Sequence, residues 1–427
     1  MPQIPVQMLQ AGMTTASDVQ NKRGQVLIPG GVPITERHLR GMKIWGIESI
    51  DIQSDGLDDA LLAQTEPQPE KPADDEIEAF LAGLFKYNTD VMAHPFMVEL
   101  YALCRTVFSQ QGIPRSTLTT DLTAARPSQR DSEQTEGDGS YKKKEMLSTA
   151  ELLKNSKNLA SPPDIYARLM EAMERSGSSS ATMATVIEND PGLTARLLRI
   201  VNSAFYSFPS PIETISRAVT IVGTDELRTM VLVTSVIKKF SKGLDGVLDM
   251  EQFWRHSIAS ALFSKQIAIL RNDQNAERFF TTGLLHDIGR LIMYLQMPDE
   301  MAALLHDNGS DKDLYRKERQ IFGFTHAQMG KELADSWRLS PRQSEAIQFH
   351  HSPQGAKRFP ADTAILHISD VLANALKIGS SGSAGIPQFF PDALDKVRLR
   401  PGALARLHQD VEREVSELIQ IFYENKP

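Results

Sequence analysis

Seven of the ten histidines lie between His256 and His367, with acidic residues beside or after them. His286 and Asp287 are adjacent within Gly283-Leu284-Leu285-His286-Asp287-Ile288-Gly289-Arg290, and Asp370 closes the run Leu366-His367-Ile368-Ser369-Asp370. Imidazole nitrogen and carboxylate oxygen together suit a divalent metal. Fe, Mn, Zn and Mg all qualify, with carboxylates favouring the harder ions and imidazoles the softer ones. Neighbouring residues on a helix point about 100° apart, so His286 and Asp287 reach one ion only at the helix edge. Further ligands must come from other helices, and His256, His326, His350, His351 and Asp370 are the supply. His306 and His367 fit no ligand position and read as surface or packing residues. His38, His94 and His408 lie outside the cluster.

A divalent ion in such a cluster would lower the pKa of bound water toward neutrality, giving a hydroxide that attacks phosphorus. A cation must then meet the charge developing on the phosphate oxygens. Arg290, one turn after His286-Asp287, either plays that part or simply pairs with an acidic neighbour, and the second reading is favoured. Asp287 and Arg290 are therefore the candidate catalytic residues. A Ser257, His256 and Asp287 triad is formally available, but nothing around Ser257 resembles a nucleophile elbow.

The elements that must position these residues are helical. Met183, Val186 and Ile187 share one face, and Pro191 opens the next helix with Leu193, Leu197, Leu198 and Val201. Further helical stretches run over 215–222, 227–240, 253–270, 279–295, 299–306, 313–322, 326–337, 341–350, 361–377 and 401–423. Gly379 to Gly385 reads as a flexible loop. Residues 147–427 are thus expected to form one all-α domain. Residues 115–146, poor in large apolar side chains, cannot offset the entropy of ordering and read as a flexible linker. Residues 1–114 read as a small α+β module with a helical extension. Val26 to Ile28 precedes the turn Pro29-Gly30-Gly31, Thr35 is a helix N-cap, and Ile50-Asp51-Ile52 alternates as a strand does.

The 427 residues carry 46 Lys and Arg against 54 Asp and Glu, a net charge of −8. That balance disfavours a dedicated nucleic-acid binder, which needs clustered cations. A metal would still supply local positive charge for a phosphate ligand. Cys104 is the single cysteine and forms no intrachain disulfide, as expected in a reducing compartment. Apolar runs such as Met230 to Ile237 are far shorter than a membrane span, and no secretory signal is visible, so a cytoplasmic protein is expected.

The order His256, His286-Asp287, Asp370 resembles the HD superfamily of metal-dependent phosphohydrolases. Leu197-Leu198-Arg199-Ile200-Val201-Asn202-Ser203-Ala204-Phe205-Tyr206, Ile215 to Val219 and Val222-Gly223-Thr224-Asp225-Glu226-Leu227-Arg228 resemble the HDOD domain. Phe253 to Ser257, Gly283 to Arg290 and Phe322 to Gly330 continue the pattern, which covers about residues 160–377. The resemblance implies an all-helical output module of bacterial signalling proteins, of a kind regarded as regulatory and without demonstrated hydrolase activity. The HD-GYP phosphodiesterases, which cleave cyclic di-GMP, are similar at His256, His286, Asp287, His326, His350, His351 and Asp370. The chain departs from them at Gln252, where they often have a carboxylate, and at Ser352 to Gly355, which replaces their Gly-Tyr-Pro region. Gly24 to Gly30 with Thr35 to Ile52 is similar to a small module found ahead of HD-type output domains. The expectation is a signalling protein acting through partner proteins or a nucleotide, with a bound metal at those seven residues. The alternative is a metal-dependent phosphohydrolase acting on a nucleotide or cyclic dinucleotide. A homo-oligomer remains open.

Overall fold

The computed structural model describes residues 3–5, 9, 12–20, 26–35, 38, 42, 49–52, 72–114, 148–155, 161–175, 179–203, 206, 208, 210–240, 248–273, 275–306, 313–400 and 402–423. The linker expected over 115–146 lies outside these, as does most of the helix expected after Thr35. The chain divides into two compact units, Met1–Pro72 and Ala73–Pro427.

In the first unit β1 (Gln3–Pro5) pairs antiparallel with β4 (Ser49–Asp51), bringing Ile4 opposite Ile50. The strands β2 (Val19–Gln20) and β3 (Val26–Ile28) form a second antiparallel pair. Leu9, Val19, Ile28, Ile34, Met42, Ile50 and Ile52 make its small core. Thr35 acts as the expected cap: its Oγ1 accepts from the His38 N–H at 3.3 Å.

The second unit is helical. Its elements are α1 (Asp74–Leu84), α2 (Pro95–Gln111), α3 (Thr149–Asn155), α4 (Asp164–Glu174), α5 (Ser180–Glu188), α6 (Pro191–Val201), α7 (Ile215–Val222) and α8 (Thr224–Lys239). Then follow α9 (Met250–Leu270), α10 (Glu277–Leu285), α11 (Ile288–Gln296), α12 (Pro298–His306), α13 (Leu314–Phe322) and α14 (His326–Ser336). The last are α15 (Pro341–Phe349), α16 (Pro360–Ala375), α17 (Asp392–Val397) and α18 (Leu404–Tyr423). No described helix is long and apolar enough to cross a membrane.

Helix α9 is the hub. It is apolar almost all round, burying Phe253, Trp254, Ile258, Leu262 and Phe263, as a helix enclosed on every side must. It packs against α10, α16 and α18. Asp249 caps its start by accepting from the N–H groups of Glu251 and Gln252.

Two expectations change. The helical extension read with the first module belongs to the second unit. Ile77, Leu81, Leu84, Met97 and Leu100 join the large core, and Glu99 caps α18 by accepting from the N–H groups of Gly402 and Leu404. The boundary lies at Pro72 because α1 and α2 carry an apolar face that only the helical unit covers. The Gly379 to Gly385 loop, read as flexible, is pinned. Ser380 N donates to Gln252 O, Lys377 Nζ to Ala384 O, and Arg290 to Ser381. Its end is tied to the segment after α1: Ile386 N donates to Leu84 O, and Asn88 bonds the backbone of Ile386, Pro387 and Phe389.

The signature stretch after α6 is a packing device. Asn202 Oδ1 accepts from Ile212 N while its Nδ2 donates to Ile212 O, holding the turn shut. Tyr206 stacks on Phe208 and donates to Glu226, and Lys265 lies over the Tyr206 ring while pairing with Glu277 at 2.9 Å. Burial, and then the Glu277 charge, push the Glu226 carboxyl up to about 7. The folded value is thus above the unfolded one of about 4.3. The folded state holds the extra proton between those values, so stability falls as pH rises through that window. Glu226→Gln should remove that loss. Its stability relative to wild type is expected to be higher at pH 8 than at pH 5 by ~1–3 kcal/mol, read by urea denaturation at both pH values.

Candidate metal centre

The pair His286-Asp287 sits where the sequence suggests one continuous helix, and the structure breaks that helix there. α10 ends at Leu285, Asp287 leaves helical geometry with φ −97° and ψ 7°, and α11 starts at Ile288. The break redirects the chain after Asp287, and the two side chains meet at their tips, with His286 Nε2 3.5 Å from Asp287 Oδ2.

Around them the structure brings together all seven expected residues. His256 comes from α9, His326 from the start of α14, His350 and His351 from the end of α15, and Asp370 from α16. All are buried. The two oxygens of Asp287 face different sets. Oδ2 lies 3.5 Å from His286 Nε2 and 3.8 Å from His256 Nε2. Oδ1 lies 3.1 Å from His326 Nε2 and 3.8 Å from His350 Nε2. Asp370 Oδ1 completes the first set at 3.2 Å from His256 and 3.5 Å from His286, while its Oδ2 is 3.7 Å from His351 Nδ1. Ligand-type atoms of Asp287, His326, His350 and His351 all lie within 4.8 Å of one another, as do those of His256, His286 and Asp287.

The imidazoles are aimed by what their other nitrogens touch. His286 Nδ1 sits 2.6 Å from Gly283 O, and His350 Nδ1 2.7 Å from Ile347 O. A carbonyl only accepts, so each Nδ1 carries the proton and each Nε2 presents its lone pair inward. Glu318, fully buried on α13, accepts from His326 N and lies 2.6 Å from His326 Nδ1, which orients that ring likewise. His367 Nε2 accepts from Phe390 N, so its Nδ1–H donates to His350 O at 2.7 Å. Asn374 Nδ2 donates to Asp370 Oδ1 at 2.7 Å.

Glu318, His367 and Asn374 escape sequence reasoning. Glu318 stands eight residues before His326 with no motif to mark it. His367, read as a surface or packing residue, is buried, and it shares the α16 face with Asp370 at i, i+3, a spacing that signals proximity. His367→Phe keeps the ring that stacks on Phe389 and removes the bond to His350. Metal affinity should fall by about 10–100-fold, measured by competition with a chromophoric chelator.

The electrostatics favour two carboxylates facing two kinds of imidazole: burial would pull His286 and His326 down, but the neighbouring carboxylates outweigh it and raise both, whereas His350 and His351 are lowered. Burial alone opposes ionising Asp287, but Arg290, His286 and His326 outweigh it and hold its carboxyl well below the usual range. Asp370 is likewise held down, burial being outweighed by His256 and His286. Burial and the charges of His286 and His326 push His350 down to about 3, and burial holds His351 well below its ordinary value. Arg290 is buried, 3.4 Å from Asp287 Oδ1 and 3.8 Å from Glu318 Oε1, and it donates to Ser381 O and Oγ. These contacts make it a brace between the two carboxylates and the loop.

Several buried atoms of the cluster have no hydrogen-bond partner: His256 Nε2, His286 Nε2, Asp287 Oδ1, both His351 nitrogens and Asp370 Oδ2. Orphaned buried polar atoms are costly, and so many in one cluster fit coordination to cations.

Residues 159–353 match the HDOD domain family. This segment is an HDOD domain. The match takes in every expected ligand but Asp370, which lies beyond its end. The chain is also similar to an uncharacterised protein of Treponema pallidum strain Nichols, 25% identical over 201 residues, or 44% of this chain. It spans only 37% of that protein's length. Among solved structures, a candidate phosphohydrolase from Shewanella amazonensis SB2B is 24% identical with a TM-score of 0.52, over 64% of this chain and 97% of that one. An HDOD domain protein from Geobacter sulfurreducens is 22% identical with a TM-score of 0.51, over 64% and 96%. At those identities the two structures share the fold.

Proposed function

We propose that this protein is a signal-transduction output protein whose HDOD domain holds a divalent-metal centre and acts through a regulatory contact. The observation that carries the metal is Asp287, whose two oxygens face separate histidine sets as a shared carboxylate in a two-ion centre would. His256, His286, Asp287 and Asp370 would hold one ion, and Asp287, His326, His350 and His351 the other. Five imidazoles with two carboxylates suit Fe, Mn or Zn better than Mg. When bound, such ions supply Lewis acidity and lower the pKa of water.

What favours regulation over turnover is the cover. The cavity that reaches the centre, lined by His351, Arg290, Tyr315 and the loop 382–385, offers about 30 Å³. That is room for about two water molecules. A cyclic dinucleotide needs several hundred Å³. The loop that closes the cavity is held by Arg290 through Ser381 and by Asn88 through the backbone of 386–389.

The second reading, a metal-dependent phosphohydrolase, is favoured by the two-set arrangement around Asp287, since residues holding two ions there would place Lewis acidity on both sides of one carboxylate. Metal analysis of protein expressed with supplemented Fe, Mn and Zn comes first. Turnover of nucleotides and cyclic di-GMP is then measured for wild type and Asn88→Ala, which frees the cover. Bound metal without turnover in wild type supports the regulatory reading. Turnover in wild type supports the hydrolase, and protein without metal overturns both.

A further inference from the structure

A second cavity shares no lining residue with the His/Asp centre. It lies where the N-terminal ends of α4 and α6 meet the C-terminal end of α8, and has a volume of about 640 Å³. This is within the range of sites that hold nucleotide-sized molecules. In a chain with net charge −8, four cationic side chains line it: Arg168, Arg196, Lys238 and Lys239. Two acids face them, Asp164 and Asp190, leaving a local excess of 4 − 2 = +2. Asp190 is already engaged, since it caps α6 by accepting from Leu193 N at 3.0 Å.

Two buried groups at this cavity want a partner. Thr234 is 2% exposed, and its hydroxyl has no hydrogen-bond partner. Arg196 Nε is shielded from solvent and also has none. Burial, and then Arg199, pull the Arg196 guanidinium below its ordinary value, with Asp190 offsetting this only in part. The α4 N-terminus, which has no side-chain cap, an unpartnered buried hydroxyl and an incompletely paired guanidinium are the features of an anion site. Pro163, Ile165 and Leu193 add an apolar wall that inorganic phosphate would not use.

We infer that this cavity binds a phosphate-bearing small molecule of nucleotide size, its phosphate meeting Arg196 and Thr234 and its apolar part the wall of Pro163, Ile165 and Leu193. Such a site would give the HDOD domain a ligand input separate from the metal centre. The inference stands whether or not the metal reading holds.

The test is calorimetric titration of the full-length protein with inorganic pyrophosphate, ADP and GDP, using adenosine as the uncharged control and protein stripped with a chelator as the centre control. The expected result is nucleoside diphosphate binding that exceeds pyrophosphate binding. Arg196→Gln should weaken it at least 10-fold, Thr234→Val more modestly, and chelation not at all. Folding of each variant is confirmed by circular dichroism. No binding of any phosphate probe at millimolar concentration and low salt would overturn the inference. So would binding that survives both Arg196→Gln and Thr234→Val, or binding abolished by chelation alone, which would place the nucleotide at the metal centre.

Discussion

Asp287→Ala is expected to empty both halves of the His/Asp centre at once. Wild type loaded with Mn or Fe should carry about two ions per chain, and the variant close to none. His351→Ala should lose about one, because His351 groups with Asp287, His326 and His350 but not with the set formed by His256 and His286. Elemental analysis against protein concentration reads all three. Metal content unchanged in Asp287→Ala would sink the shared-carboxylate arrangement. Stability should fall too, since the substitution leaves Arg290 buried opposite His286 and His326 with one counter-charge fewer. Breaking a buried ion pair from one side costs about 3–5 kcal/mol. Asp287→Asn, which keeps the shape, serves as a second variant if the alanine form does not accumulate.

Gly289→Ala should be nearly as damaging without removing any ligand. Gly289 is where α11 crosses α14 backbone to backbone. An added Cβ would stand inside contact distance of His326 O and 2.6 Å from Gly330 N. Backbone atoms cannot rotate away as a side chain tip can, so the two helices must separate. The cost should reach about 3 kcal/mol or more, at the upper end for overpacking. Moving α14 also moves His326, so the loss of unfolding free energy in urea should come with loss of metal from the His326 half. A Gly289→Ala protein as stable as wild type would show that this crossing has room for a methyl group after all.

Much of this molecule is readable in one dimension. Helical periodicity marks most of the second unit, because each amphipathic stretch must bury one face and spaces its apolar residues to do so. The β3 strand, the Thr35 cap and the start of α6 at Pro191 follow from local chemistry as well. The true domain boundary at Pro72 is not legible, since α1 and α2 look alike whether their apolar faces meet a small module or a large helical core. The break at Asp287 is not legible either. Leu284, Leu285, Ile288, Leu291 and Ile292 keep a helical rhythm across it, and only packing against α14 decides where the rhythm is interrupted.

By itself the sequence determined the chemistry available: histidines and carboxylates in an order that suits a divalent cation, and a mainly helical frame to carry them. Tertiary structure alone decided that the two oxygens of Asp287 look toward different histidines. It also decided that Glu318 aims the His326 ring, that His367 ties down the His350 backbone, and that a loop held by Arg290 and Asn88 covers the centre. The physical reason is range. Capping, periodicity and turn preference act within a few residues, whereas these contacts join side chains dozens to hundreds of positions apart, with Asn88 and Ile386 separated by 298.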